Sequence, residues 1–118
     1  MFEKSNPNLT RLIGELKKIS AENKAPVWRY LAELLEKPES SWAEVNVGKL
    51  QDYAKDHSTV IVPGKLLGNG DIKRKITVTA FKFSVSAKKK ILDAGGTILS
   101  IVELYEKNPK GSGLLIMK

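Results

Sequence analysis

Lys65, Lys73, Arg74, Lys75, Lys82, Lys88, Lys89 and Lys90 fall within one segment, residues 65–90, in which Asp71 is the only acidic group. Eight positive charges against one give +7, which equals the formal net charge of the whole 118-residue chain. Residues 1–64 carry nine basic and nine acidic groups, and residues 91–118 carry three of each. Solubility needs no such concentration of charge, whereas a surface for a polyanion does. The chemistry on offer is neutralisation of phosphates by ammonium and guanidinium groups, with release of their counterions. The bland alternative is a solvated face on a basic protein.

Lys88, Lys89 and Lys90 are predicted in the first turn of a helix over 87–94, where cations oppose the helix dipole. Three lysines in an unfavourable place suggest a benefit that appears only when an anion arrives, and the same helix end offers unpaired N–H groups to a phosphate. Pro63-Gly64-Lys65-Leu66-Leu67-Gly68-Asn69-Gly70 is glycine-rich and basic. Leu66 follows the Gly-Lys pair where a nucleotide P-loop requires a Mg²⁺-binding hydroxyl, and the loop opens no helix, so neither the P-loop nor the dinucleotide fingerprint is met. Its glycines serve either tight turns or close approach of backbone to a ligand, and the adjoining positive charge favours RNA backbone contact.

Enzyme chemistry has little support. Asp56, His57 and Ser58 are sequence neighbours, which point to different sides of a loop or strand and do not form a triad. Glu33, Glu36, Glu103 and Glu106 stand beside lysines on predicted helices and read as surface pairs. The chain has no Cys and one His, and metal-ligand spacing is absent, so no metal, cofactor or small-molecule substrate is expected. Trp28-Arg29 offers either a core indole or a base-stacking one, and in both cases Arg29 is placed to reach phosphate.

One domain positions these groups: 118 residues with 42% apolar content build one ordinary core. No apolar run approaches the ~20 residues of a membrane span, and Met1–Lys4 is too short and polar for a signal peptide, so a cytoplasmic location is expected. Leu9, Leu12, Ile13, Leu16 and Ile19 recur at helical spacing, with Asn6-Pro7 or Asn8 to start the helix. A second helix starts at Pro26, carries Val27, Tyr30, Leu31, Leu34 and Leu35 on one side, and stops before Pro38. A third over 47–54 is capped by Asn46 and turns Val47, Leu50 and Tyr53 inward. The region 1–57 is therefore helical, and 58–118 reads as a β-α-β core packed with it.

In that core, residues 58–62 are a β-branched strand stopped by Pro63-Gly64. Residues 73–85 alternate, with Ile76, Val78 and Ala80 on one face. The apolar phase then slips to Phe81, Phe83 and Val85, which predicts a bulge or corner near Ala80-Phe81. Ser84 or Ser86 caps the helix over 87–94, which ends at Gly95-Gly96. A strand over 97–101, a helix over 102–107 and a strand over 114–117 follow.

Several ordered motifs carry a resemblance. Asn6-Pro7 with Leu9 and Leu12-Ile13, Ala25-Pro26-Val27-Trp28-Arg29 and Glu44-Val45-Asn46-Val47 are similar to the archaeal and eukaryotic large-subunit ribosomal protein family L-eighteen-e. So are the stretch from Val62-Pro63-Gly64 through Gly68-Asn69-Gly70, Val78-Thr79-Ala80-Phe81, Phe83-Ser84, Ala87, Ile91 and Ala94-Gly95-Gly96. This second half also resembles the core of the bacterial L-fifteen family, and Asn108-Pro109-Lys110-Gly111-Ser112-Gly113 resembles a C-terminal signature of the L-eighteen-e family. Relatives often carry glycine where this chain has Val85. The short length looks archaeal.

The resemblance implies a non-catalytic constituent of the large ribosomal subunit that binds large-subunit rRNA beside neighbouring ribosomal proteins. It also implies an α/β fold in which N-terminal helices precede an irregular superhelix of β-β-α turns, as a single domain. Combined with the charge pattern, it gives a candidate RNA-binding set: Arg29, Gly64, Lys65, Gly68, Asn69, Gly70, Lys73, Arg74, Lys75, Lys82, Ser86, Lys88, Lys89, Lys90 and Lys110. Folded RNA is recognised largely by shape and backbone, so few base-specific contacts are expected. The competing reading is a non-ribosomal RNA-binding module of a small ribonucleoprotein.

Overall fold

The computed structural model describes residues 7–118, in two compact units. The first joins the chain up to Trp42 with Val102–Ser112; the second comprises Ala43–Ile101 and Gly113–Lys118.

In the first unit, α1 (Pro7–Asn23) and α2 (Pro26–Glu36) pack against each other. Asn8 therefore lies inside the first turn rather than capping it, and Asn6, the other candidate cap, lies outside the described residues. The link between the helices turns through Lys24 at φ 51°, with the Ala25 N–H donating to the Ser20 carbonyl (3.0 Å) and the Ser20 hydroxyl to the Ala25 carbonyl (2.8 Å). The buried stripe of α2 is Trp28, Leu31, Ala32 and Leu35, at i, i+3, i+4 and i+7. It is rotated from the predicted Val27–Tyr30–Leu34 side because Trp28 is fully buried.

The Trp28 indole donates to the Pro109 carbonyl (2.7 Å) and meets Tyr105 of α5 (Ile101–Lys107) edge-on, with ring centres 6.2 Å apart. Burial, followed by the charges of Glu15 and Glu106, pushes the Tyr105 phenol above the ordinary tyrosine value. Replacement of Trp28 by Phe keeps most of the apolar bulk but strands the Pro109 carbonyl. It is expected to lower unfolding free energy by about 1–3 kcal/mol, read from urea denaturation.

The second unit is built on an entirely parallel sheet. The strands are β1 (Ala43–Asn46), β2 (Thr59–Leu67), β3 (Thr77–Phe83), β4 (Thr97–Ile98) and β5 (Leu114–Ile116). Their order is β1-β2-β3-β4, with β5 pairing the first half of β2 and β1 its second half. β2 is buried on both faces, as its unbroken apolar run requires in a parallel sheet. Over one face lie α3 (Val47–Tyr53) and α4 (Val85–Asp93). Val47, Leu50, Ala87 and Ile91 close a core there with Val60, Val62, Leu66, Val78 and Ala80.

Three local departures from the sequence expectation have physical causes. β1 is a strand that four residues of mixed polarity did not announce; it exists because β2 offers it an edge. β2 does not stop at Pro63-Gly64 but runs through them. Pro63 has no N–H for the ladder, and the register shifts so that Pro63 and Gly64 together oppose Phe81. The phase slip near Ala80-Phe81 thus marks a bulge whose extra residue sits on the neighbouring strand. Tyr53, expected inward, is 71% exposed, because α3 ends there and Leu50 and Ala54 already fill the core side.

Candidate nucleic-acid interface

All the basic residues of 65–90 lie in the second unit, whereas Arg29 and Lys110 lie exposed in the first. Lys65 and Lys82 are register partners on β2 and β3, in a row that continues to Glu44 on β1. Adjacent parallel strands are about 4.8 Å apart, so two half-buried lysine stems emerge side by side near the carboxyl ends of the strands. In open parallel sheets that edge is where ligands bind. β2 there feeds the glycine-rich loop, and β3 feeds α4.

The segment from Gly68 to Lys75 is extensively tied to its surroundings. The Asn69 N–H donates to the Asn46 side-chain oxygen (3.1 Å), and the Gly48 N–H to the Asn69 carbonyl (3.0 Å). Asn46 therefore spends its side chain on the loop and makes no cap bond to α3. The Lys73 N–H donates to Gln51 Oε1 (2.8 Å), the Lys75 N–H to Asp56 Oδ1 (2.7 Å), and the Arg74 guanidinium to the Ala54 carbonyl (2.5 Å). Asn46, Gly48 and Gln51 were not singled out from sequence, since each gains its role from a partner about twenty residues away.

The glycines have specific neighbours. A Cβ on Gly64 would stand 2.0 Å from the Ala43 carbonyl oxygen, so its absence lets β1 pair with β2. A Cβ on Gly68 would stand 2.0 Å from the Ser86 hydroxyl. Gly70, at φ +89°, would place one 2.7 Å from the Gly48 Cα. Close approach is real at all three positions, and the partner in each case is this chain itself.

α4 begins at Val85, two residues earlier than predicted, because Ser84 caps it: the Ser84 hydroxyl accepts from the Ala87 N–H (3.1 Å). Lys88, Lys89 and Lys90 are therefore not in the first turn. Lys90 lies in the last turn, where the dipole favours a cation. The three also differ in use. The Lys90 ammonium donates to the carbonyls of Gly68 (2.7 Å) and Gly70 (2.6 Å), and Lys89 pairs with Asp93 (3.0 Å). Lys88 is exposed, and its ammonium, like those of Lys73 and Lys75, has no hydrogen-bond or ion-pair partner among the described residues.

Two open depressions flank this surface. One, about 400 Å³, is lined by Asp71, Ile72, Lys73, Lys90, Asp93 and Ala94; the other, about 300 Å³, by His57, Lys75, Thr77 and the Gly95-Gly96 turn. Among the described residues, no three acidic or imidazole groups are grouped to hold a metal ion, and no helix is long and apolar enough to cross a membrane. What remains is an extended, cationic, preformed backbone surface, suited to a phosphate chain more than to a small molecule.

Comparison with known proteins supplies the class. Residues 44–99, which contain the whole basic segment, match the family described as ribosomal proteins 50S-L15, 50S-L18e and their 60S counterpart. Nearly full-length relatives narrow it. The large ribosomal subunit protein eL18 of Archaeoglobus fulgidus is 52% identical over 98% of this chain and 99% of its own length. That of Methanoregula boonei is 47% identical over 98% and 96%, and that of Halobacterium salinarum 42% over 99% and 100%. The chain belongs to the archaeal eL18 family of large-subunit ribosomal proteins, whose members are structural proteins and not enzymes.

Proposed function

We propose that this chain is a structural constituent of the large subunit of the cytoplasmic ribosome and holds large-subunit rRNA through residues 65–90 and the Gly64–Gly70 loop. The observation that carries the reading is the concentration of the entire net charge in that segment, on a surface where Lys73, Lys75 and Lys88 present ammonium groups with no internal partner. Lys65 and Lys82, stacked in register, gain from an anion that relieves their mutual repulsion. Lys89, Arg74 and Ser86 edge the same surface, and Asn69 and Gly70 present loop backbone to it. Arg29 and Lys110 add phosphate contacts from the first unit, and neighbouring ribosomal proteins complete the surroundings. We further propose that β2, β3 and α4 form one β-β-α turn of an irregular superhelix.

Few base-specific contacts are expected, since preformed backbone and lysines recognise shape and phosphate. A tagged chain expressed in an archaeal host is expected to sediment with large subunits in a sucrose gradient and to stay there at moderate salt. Sedimentation with a light ribonucleoprotein instead would replace the ribosomal reading with that of a small-ribonucleoprotein module.

A further inference from the structure

Lys90 differs from every other cation of the segment in donating to two backbone carbonyls at once, Gly68 at 2.7 Å and Gly70 at 2.6 Å, across more than twenty residues of chain. Those carbonyls bracket Asn69, whose own N–H and C=O are already bonded to Asn46 and Gly48. The loop is thereby gripped from both sides, by the start of α3 and by the last turn of α4. An ammonium has three donors, and two are committed to the loop.

We propose that Lys90 is a positioning residue: it clamps the Gly68–Gly70 loop in the shape that meets rRNA and does not itself neutralise a phosphate. The proposal rests on the reading that this loop faces rRNA. Its consequence is a division of labour within one Lys-Lys-Lys run. Lys88 contributes charge to the complex, Lys89 is held by Asp93, and Lys90 contributes loop geometry.

The experiment compares Lys90→Met with Lys88→Met and Lys90→Arg, all in the full chain. It reads amide exchange at Gly48 and Asn69 in the free protein, and the affinity and salt slope for an in vitro transcript of large-subunit rRNA. Lys90→Met is expected to speed exchange at Gly48 and Asn69 and to weaken binding by about tenfold, the size of one lost hydrogen bond to a charged group, with the salt slope unchanged. Lys88→Met is expected to leave exchange untouched and to make the slope shallower by about one. Lys90→Arg, which still donates to carbonyls, should restore slow exchange and show that loss in the Met form is not general unfolding. Unchanged exchange in Lys90→Met, with a slope shallower by about one, would overturn the clamp and make Lys90 a phosphate ligand. Faster exchange with unchanged affinity would overturn the proposal through its premise, by showing that the loop does not meet rRNA.

Discussion

Gly64→Ala is expected to abolish stable folding of the second unit, or to cost it about 3 kcal/mol or more. The added methyl would lie 2.0 Å from the Ala43 carbonyl oxygen, 2.8 Å from its carbon and 2.7 Å from its nitrogen. All three are backbone atoms of the adjoining strand, so relief requires β1 to leave β2. Gly68→Ala offers the contrast. Its methyl meets the Ser86 side chain at 2.0 and 2.8 Å, and a side chain can yield where a strand cannot. Gly68→Ala should therefore destabilise less, and adding Ser86→Gly should return much of the loss, whereas Ser86→Gly should do nothing for Gly64→Ala. Urea denaturation of the four forms checks this. Equal stability of Gly64→Ala and the parent chain would mean that β1 is not held as described.

The second large effect is on binding. If about five phosphates are neutralised, the logarithm of the rRNA affinity should fall against the logarithm of salt concentration with a slope of roughly −3 to −5. Lys73, Lys75 and Lys88 have no internal partner to lose, so their joint replacement by Gln should leave the unfolding midpoint unchanged. The same replacement should lower affinity by roughly 10²- to 10³-fold near 0.1 M salt and flatten the slope by two to three. A triple replacement of Lys17, Lys18 and Lys37, exposed on or beside the helices of the first unit, removes the same charge outside the segment and should change affinity far less. Equal losses from both triples would mean that total charge, and not its placement, governs binding.

The sequence made the helices of the first unit and the α4 helix legible because apolar spacing and turn residues act over a few positions. Ser84 as a cap and Gly95 as a stop follow from local chemistry, and both stand in those roles. What sequence order conceals is pairing between distant segments. Trp28 was ambiguous because its hydrogen-bond partner, the Pro109 carbonyl, is 81 residues away. β1 was missed because its strand character belongs to β2, and Pro63-Gly64 read as a stop because the bulge that tolerates them needs Phe81 opposite.

The same limit shaped the reading of the site. Charge density in 65–90 is a property of composition and needs no fold. The three consecutive lysines looked equivalent, since nothing in the run Lys88-Lys89-Lys90 says that one reaches back to Gly68 and Gly70 and another to Asp93. The glycines were read as room for a ligand, and the structure fills that room with Ala43, Ser86 and Gly48. Preformed shape and unpartnered charge are both needed for an RNA-backbone surface, and sequence alone displays the second.

The central claim is that residues 65–90 are the rRNA-facing surface. A density map of the archaeal large subunit containing this chain tests it most directly. The ammonium groups of Lys73, Lys75 and Lys88 should then lie within about 3 Å of rRNA phosphate oxygens, with the Gly68–Gly70 backbone against the RNA and Lys90 still on its two carbonyls. A map in which this face meets solvent or another protein, while rRNA runs along the neutral helical face of α1 and α2, would contradict it.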